Sequence, residues 1–144
     1  MKLFTAGFTK KSAEEFFTLL QKAGVRRVVD VRLNNTSQIA GFAKSRDLQY
    51  FLRAIAGIDY VHVPDFAPTQ EILDDFTKNK GSWEDYERRF GELMAARDIA
   101  EKAAEILRDG DCLLCSEPTP EHCHRRLVAE HIQKHLTDIE VTHL

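Results

Sequence analysis

Short apolar segments alternate with longer amphipathic segments along the whole chain, and this alternation is the feature that most restricts the fold. Residues 2–6, 27–31, 58–63, 111–115 and 139–142 have the apolar, often β-branched composition of strands. Apolar residues recur at helical spacing between these segments. Because neighbouring parallel strands need a crossover of this length, the pattern predicts an α/β domain with a mostly parallel sheet of about five strands and helices on both faces.

Local signals predict where the first two helices begin and end. Ser12 and Glu15 form a capping-box pattern, and Gly24 is well placed to end the first helix in a left-handed conformation. Ser45 is expected to cap a second helix, which stops at Gly57.

The remaining helices are predicted on both sides of the fourth strand. Helices are expected at 69–79 and at 82–108, the second with a bend near Gly91. Thr119 is a plausible N-cap and Pro120 suits a first helical position, so the last helix is expected to start there and to run to about residue 135.

Size and composition favour one ordinary intracellular domain. A chain of 144 residues with 43% hydrophobic residues can form a single core over residues 1–144. No segment resembles a leader or a membrane span, and the odd number of cysteines favours reduced thiols, so we expect a soluble, cytoplasmic protein. The net charge of −3 does not favour nucleic acid as a partner, although a local basic pocket can still bind phosphate. The oligomeric state stays open.

Ligands of open parallel sheets bind outside the carboxyl ends of the strands, where the strand order changes direction. Mostly polar and reactive residues end or follow the predicted strands. They are Thr5, Gly7, Asp30, Arg32, His62, Pro64, Cys115 and Glu117. The sequence therefore predicts a site at this edge of the sheet.

Asp30 and Arg32 lie two residues apart, so both side chains point to the same side of an extended chain. One interpretation is that Asp30 orients Arg32 or acts as a base while Arg32 holds an anion. The other is a structural salt bridge. His62 shares a strand face with Tyr60, and Pro64 ends that strand, which favours a proton-carrying His62 near the rim of a pocket over a purely structural histidine.

Residues 115–126 are the richest segment. Cys123, His124 and Arg125 are expected near the first turn of a helix, where free amides and the helix dipole attract anions and lower the pKa of a thiol. A second interpretation is that His124 packs under the sheet and that Cys115 and Cys123 act as small hydrophobic residues. Both interpretations stay open.

A metal site is a further alternative. Cys112 and Cys115 should face opposite sides of a strand, which disfavours a zinc site that uses both and leaves Cys112 structural. A looser site of Cys115, Cys123 and His62 stays open, so zinc is not excluded, although no cofactor is predicted. The chain lacks a glycine-rich dinucleotide fingerprint and a phosphate-binding P-loop.

Four motifs occur together in order: Thr5-x-Gly7, Asp30-Val31-Arg32, the segment 57–64 that ends in His62-Val63-Pro64, and Cys115-x-Glu117 followed by Cys123-His124-Arg125. This ordered set resembles the family catalogued as domain of unknown function 488. The resemblance implies a compact Rossmann-like α/β fold of prokaryotic cytoplasmic proteins, with the matching residues gathered in one cleft. It implies no reaction, and residues 65–68 depart from the family pattern.

These observations lead to a functional hypothesis. We expect a small hydrolase or group transferase that acts on an anionic, phosphate-bearing or nucleotide-like ligand. The expected catalytic residues are Cys123 or Cys115 as thiolate, His62 or His124 as proton carrier, and Asp30 or Glu117 as acid, base or orienting group. The expected ligand-binding residues are Arg32, Arg125, Thr5, Gly7 and Tyr60. Two alternatives are a non-catalytic module that binds a nucleotide or a nucleic-acid end, and a Cys/His metal-binding protein.

Overall fold

The computed structural model describes residues 1–36 and 40–144. Within these ranges, the strands are β1 (Lys2–Gly7), β2 (Arg27–Asp30), β3 (Asp59–His62), β4 (Asp111–Cys115) and β5 (Glu140–His143). The α-helices are α1 (Ala13–Ala23), α2 (Ser45–Phe51), α3 (Gln70–Thr77), α4 (Trp83–Ala96), α5 (Ile99–Ile106) and α6 (His124–His135). A π-helical segment, Leu52–Ala56, directly continues α2.

The strands form one sheet in the order β3-β2-β4-β1-β5, and every neighbouring pair is parallel. Helices α1 and α2 pack on one face, and α3 to α6 pack on the other. The predicted α/β fold with a parallel sheet between two helical layers is therefore confirmed. The chain leaves β2 toward one face and β4 toward the opposite face, which opens a crevice at the carboxyl ends of these two neighbouring strands.

Strand β4 lies in the middle of the sheet and is buried along its whole length. Cys112 and Leu114 belong to the core beneath α1 and α2, whereas Leu113 and Cys115 belong to the core beneath α3 to α6. The predicted opposite orientation of Cys112 and Cys115 is confirmed.

The boundaries of α1 follow the predicted signals, but the start of α2 does not. The Ser12 side chain accepts a hydrogen bond from the Glu15 amide at 3.1 Å, and the Glu15 carboxylate accepts one from the Ser12 amide at 3.3 Å. Gly24 ends the helix with a φ of 79°. The cap predicted at Ser45 is wrong, because Ser45 is already helical and its amide donates to the carbonyl of Asn35 at 2.7 Å.

The long helix predicted at 82–108 is two helices, and its predicted bend is wrong. Gly91 lies inside α4, and the chain breaks instead at Arg97 and Asp98, where Asp98 has a φ of 55°. The Arg97 guanidinium donates to the carbonyls of Asp65 and Ala67 at 2.9 and 2.6 Å. The helix break thus coincides with a contact to a distant segment, and local helix propensity cannot predict such a contact.

The last helix also starts later than predicted. Cys123 is the N-cap of α6, and the Thr119 hydroxyl donates to the carboxylate of Glu121 at 3.1 Å rather than capping a helix. The prediction at Thr119 and Pro120 is wrong, because residues 116–123 form turns that connect β4 to α6. His124 and Arg125 nevertheless lie in the first turn, as expected. No helix in the described parts of the chain has the length and apolar character needed to cross a bilayer.

Candidate active site

A cavity of about 220 Å³ lies at the crevice between the carboxyl ends of β2 and β4. The loop after β2 contributes Arg32, Leu33 and Asn34 to its lining. The residues from the end of β4 to the start of α6 that line it are Cys115, Ser116, Glu117, His122, Cys123 and His124. The sheet therefore places the reactive segment where the strand topology predicts a site.

Cys115, Cys123 and His124 form the chemical centre of this cavity. Each offers a ligand atom, and these atoms lie within 4.8 Å of one another. Cys115 is 5% exposed, Cys123 is 2% exposed and His124 is 6% exposed. The two cysteines come together because Cys115 ends a strand and Cys123 caps the helix that packs beneath the same strand.

The hydrogen bonds of His124 define which of its ring nitrogens carries the proton. Nε2 lies 2.6 Å from the carbonyl oxygen of Val31, which can only accept, so Nε2 is the donor. In the neutral ring, Nδ1 is then an acceptor, and it lies 3.5 Å from Sγ of Cys115. The ring also meets Phe90 edge to face at 5.9 Å, which restricts its rotation. His124 is thus held with a proton-accepting nitrogen against the Cys115 sulfur.

The surroundings separate the acidities of the two thiols. The Cys123 side chain hydrogen-bonds to Cys115 and lowers the pKa of the Cys115 thiol; burial opposes this shift, and the amides of Ser116 and Glu117 and the charge of Arg125 add to it. Burial raises the pKa of Cys123, and its hydrogen bond to Cys115 raises it further. Cys115 is therefore the thiol that ionises first, with Cys123 as its hydrogen-bond donor.

Asp30 and Arg32 make the predicted ion pair, and both are buried beside the cavity. Nε and Nη2 of Arg32 contact the two Asp30 carboxylate oxygens at 2.8 and 2.7 Å. Nη1 of Arg32 donates to the carbonyl of Ala43 at 2.8 Å, and the guanidinium lies 5.2 Å from the centre of the Phe8 ring. The Tyr60 hydroxyl donates to Asp30 at 2.6 Å. The Arg32 guanidinium is thus committed to internal partners.

This network also sets the ionisation of Asp30. Burial favours the neutral acid, but the Arg32 guanidinium and the Tyr60 hydroxyl hold the pKa of Asp30 below its usual range. Burial and the hydrogen bond to the Asp30 carboxylate raise the pKa of Tyr60. Asp30 is therefore a carboxylate and Tyr60 a neutral phenol at neutral pH.

Lowering the pH is expected to remove the stabilisation that the Asp30 carboxylate provides. A carboxyl whose pKa is depressed by folding stabilises the protein fully above the unfolded pKa of about 3.9, and this contribution is lost as the pH falls through the folded pKa. Urea unfolding should thus show a difference between the wild type and Asp30→Asn that is constant from about pH 7 to 5 and shrinks below about pH 4. A difference that stays constant at low pH would contradict the assignment.

Arg125 does not line the cavity. Its hydrogen bonds connect the segment after β4 to β1. It is fully buried, with Nη1 donating to the carbonyl of Glu117 at 2.7 Å and Nε to the hydroxyl of Thr5 at 3.4 Å. Thr5 also hydrogen-bonds to His143 at 2.7 Å. Nη2 of Arg125 has no hydrogen-bond partner among the described residues. Arg125 and Thr5 therefore position the segment that directly follows Cys115.

His62 contacts the loop that follows β2 but does not line the cavity. Its Nε2 donates to the carbonyl of Arg32 at 2.7 Å, and together with Tyr60 it borders a second depression near Arg46 and Gln49. His124, not His62, lies with the two cysteines, so the structure does not bring together the three side chains of the looser metal alternative with His62.

An aromatic wall, which sequence reasoning missed, lines the same cavity as the cysteines. Trp83 stacks on Tyr86 and on His122, with ring centroids 4.8 Å apart in both pairs, and Phe76 lies 5.5 Å from Trp83. Leu73 completes the apolar lining. The apolar stripes of α3 and α4 indicate only burial, so the sequence signal available was the density of aromatic residues near the start of α4.

The structure thus divides the predicted site residues into three groups. Cys115, Cys123, His124, Glu117 and Arg32 line the cavity. Asp30, Tyr60 and His62 support the loop after β2, whereas Thr5, Gly7 and Arg125 support the segment after β4.

Fold and site together define a parallel α/β protein with a Cys-Cys-His cluster at the carboxyl edge of its sheet. The chain matches the family model described as Domain of unknown function DUF488 over residues 12–132, and it belongs to this family. The matched range includes the whole cluster and begins after Thr5 and Gly7. No curated protein and no solved structure matches the chain.

Proposed function

We propose that this protein is a hydrolase or group transferase in which Cys115 is the nucleophile and His124 is its base. The observation that carries the proposal is the 3.5 Å contact between Sγ of Cys115 and Nδ1 of His124, with the ring held by the Val31 carbonyl at the opposite nitrogen. A thiol, an oriented imidazole and a third group that sets the tautomer are the arrangement that activates a cysteine nucleophile.

The reaction follows from these contacts. The Cys115 proton passes to Nδ1 of His124, and the thiolate forms a bond with an electrophilic centre of the substrate. The bond to the leaving group breaks, and the leaving group takes the proton from the His124 imidazolium. Water in a hydrolase, or an acceptor in a transferase, then displaces Cys115 and restores the thiol. The amides of Ser116 and Glu117, which favour the thiolate, support the first step.

The cavity walls bear on the class of substrate. Leu73, Phe76, Trp83 and Tyr86 suit an apolar or planar group placed beside the nucleophile. An anionic substrate finds less support, because the Arg32 guanidinium is paired with Asp30 and Arg125 does not line the cavity. Glu117, which is exposed at the cavity, is available to contact the substrate or the leaving group.

Alkylation by a small reagent, resolved by mass spectrometry over a range of pH, tests the nucleophile. Cys115 is expected to react first and to titrate below the unperturbed thiol pKa of about 8.5. Cys123 and Cys112 should react more slowly, because burial raises the pKa of each thiol. His124→Gln should raise the pKa of Cys115, whereas Cys112→Ala, in the opposite core, should leave it unchanged.

Two results would overturn the proposal: a Cys115 thiol that titrates at or above about 8.5, or a Cys115 titration that is the same in His124→Gln and wild type. If Cys115 is inert but phosphate binds with an affinity that survives Cys115→Ser, the non-catalytic anion-binding module replaces the enzyme.

A further inference from the structure

The Cys-Cys-His cluster has a second chemical capacity besides nucleophilic attack. Two sulfur atoms and one imidazole nitrogen lie within 4.8 Å of one another, and all three side chains are buried. Two thiolates and an imidazole form a ligand set that prefers zinc and disfavours the hard cations magnesium and calcium, which take oxygen ligands. A nucleophile and its base need only Cys115 and His124, whereas a metal site gives all three side chains a direct role.

The surroundings of the cluster fit a metal site independently of the three ligands. Metal-binding histidines commonly donate their other ring N–H to a carbonyl or carboxylate, and Nε2 of His124 donates to the Val31 carbonyl at 2.6 Å. Nδ1 is consequently the nitrogen that is available as a ligand.

The position of the cluster also leaves room for a fourth ligand. Cys115, Cys123 and His124 all line the cavity of about 220 Å³. A tetrahedral zinc held by three protein ligands keeps one position open for water or a substrate atom. The exposed Glu117 lines the same cavity and is the nearest carboxylate in sequence to Cys115.

We propose that Cys115, Cys123 and His124 bind one zinc ion, and that zinc occupancy switches off the Cys115 nucleophile. Binding displaces the thiol protons of Cys115 and Cys123 to solvent, and the metal takes the Cys115 lone pair and the His124 Nδ1 that attack requires. The regulatory part rests on the proposed function, whereas the binding of zinc does not.

Zinc titration of the reduced, metal-free full chain tests the binding. We expect one equivalent of zinc per chain, and cobalt in its place should show the visible absorption of a tetrahedral site with sulfur ligands. Cys123→Ser and His124→Gln should each weaken zinc binding by more than about 100-fold, because loss of a ligand exceeds the 10- to 100-fold cost of losing a supporting contact. Cys112→Ala should bind zinc like the wild type, because Cys112 lies in the opposite core. Circular dichroism checks that each variant is folded.

Alkylation of the same samples separates this inference from the proposed function. One equivalent of zinc should protect Cys115 in the wild type and fail to protect it in Cys123→Ser, which keeps Cys115 and His124. Absence of stoichiometric zinc binding, or zinc binding of wild-type affinity in Cys123→Ser, overturns the metal site even if Cys115 is a reactive thiolate. If the protein binds zinc but Cys115 is inert in the metal-free protein, the metal site is supported and the proposed role of Cys115 as nucleophile is wrong.

Discussion

Replacing Asp30 with alanine is expected to lower the free energy of unfolding by about 3–5 kcal/mol, the usual cost of removing one partner from a buried ion pair. Asp30 is fully buried and Arg32 is 3% exposed, so the guanidinium cannot turn to solvent when its carboxylate is lost. The Ala43 carbonyl and the Phe8 ring retain contact with Arg32 but do not neutralise its charge. The Tyr60 hydroxyl also loses its short hydrogen bond. Urea unfolding monitored by circular dichroism measures the effect.

A matched control is Asp59→Ala on neighbouring β3, where the aspartate is exposed and the change should stay within about 0.5 kcal/mol. The cause is tested by Arg32→Ala and by the double variant. If the unpaired charge is responsible, the double variant is destabilised by clearly less than the sum of the two single variants. Strict additivity would show that lost packing, and not an orphaned charge, explains the result.

Replacing Gly7 with alanine is the second change with a large expected effect. A Cβ atom at Gly7 would lie 1.6 Å from the carbonyl oxygen of Glu117 and 3.0 Å from Nη1 of Arg125. The Glu117 carbonyl accepts the hydrogen bond from Arg125, so the added methyl group must displace the carbonyl and break that bond. Overpacking costs about 1–3 kcal/mol, and an unpaired buried donor adds about 1–3 kcal/mol, so we expect a loss of about 3 kcal/mol or more.

Gly91→Ala is the control for this substitution. Gly91 lies inside α4, and a Cβ there meets nothing within 4 Å, so this variant should be more stable than the wild type by about 0.5–1 kcal/mol.

In Gly7→Ala, the displacement of Glu117 should also weaken the preference for the Cys115 thiolate, because the Glu117 amide supports that thiolate. A Gly7→Ala protein with wild-type stability and wild-type Cys115 reactivity would show that the close approach of the two segments is not required.

Features with a local cause could be predicted from the sequence. The capping box of Ser12 and Glu15 and the left-handed Gly24 need only neighbouring residues, and the bounds of β4 follow from its own apolar run between Gly110 and Ser116. The ion pair of Asp30 and Arg32 was predictable because strand geometry places the two side chains on the same side.

Features set by distant partners could not be predicted. The helix break at Arg97 coincides with its bonds to the carbonyls of Asp65 and Ala67, about thirty residues away along the chain. The late start of α6 and the placement of His124 rather than His62 beside the two cysteines depend on how the turns after β4 fold back onto β1 and β2. The wall of Phe76, Trp83 and Tyr86 becomes visible only when α3 and α4 are placed over the cysteines.

By itself, the sequence determined the parallel α/β fold, membership of the DUF488 family and the edge of the sheet where the reactive residues collect. These depend on periodicity, on strand polarity and on ordered motifs, which can be read along the chain. Only the tertiary structure decided which of those residues meet. It paired Cys115 with Cys123 and His124, and it committed Arg32 and Arg125 to internal partners. The physical reason is that a buried guanidinium, thiol or imidazole is defined by the partners that satisfy it, and here those partners come from strands and loops far apart in sequence.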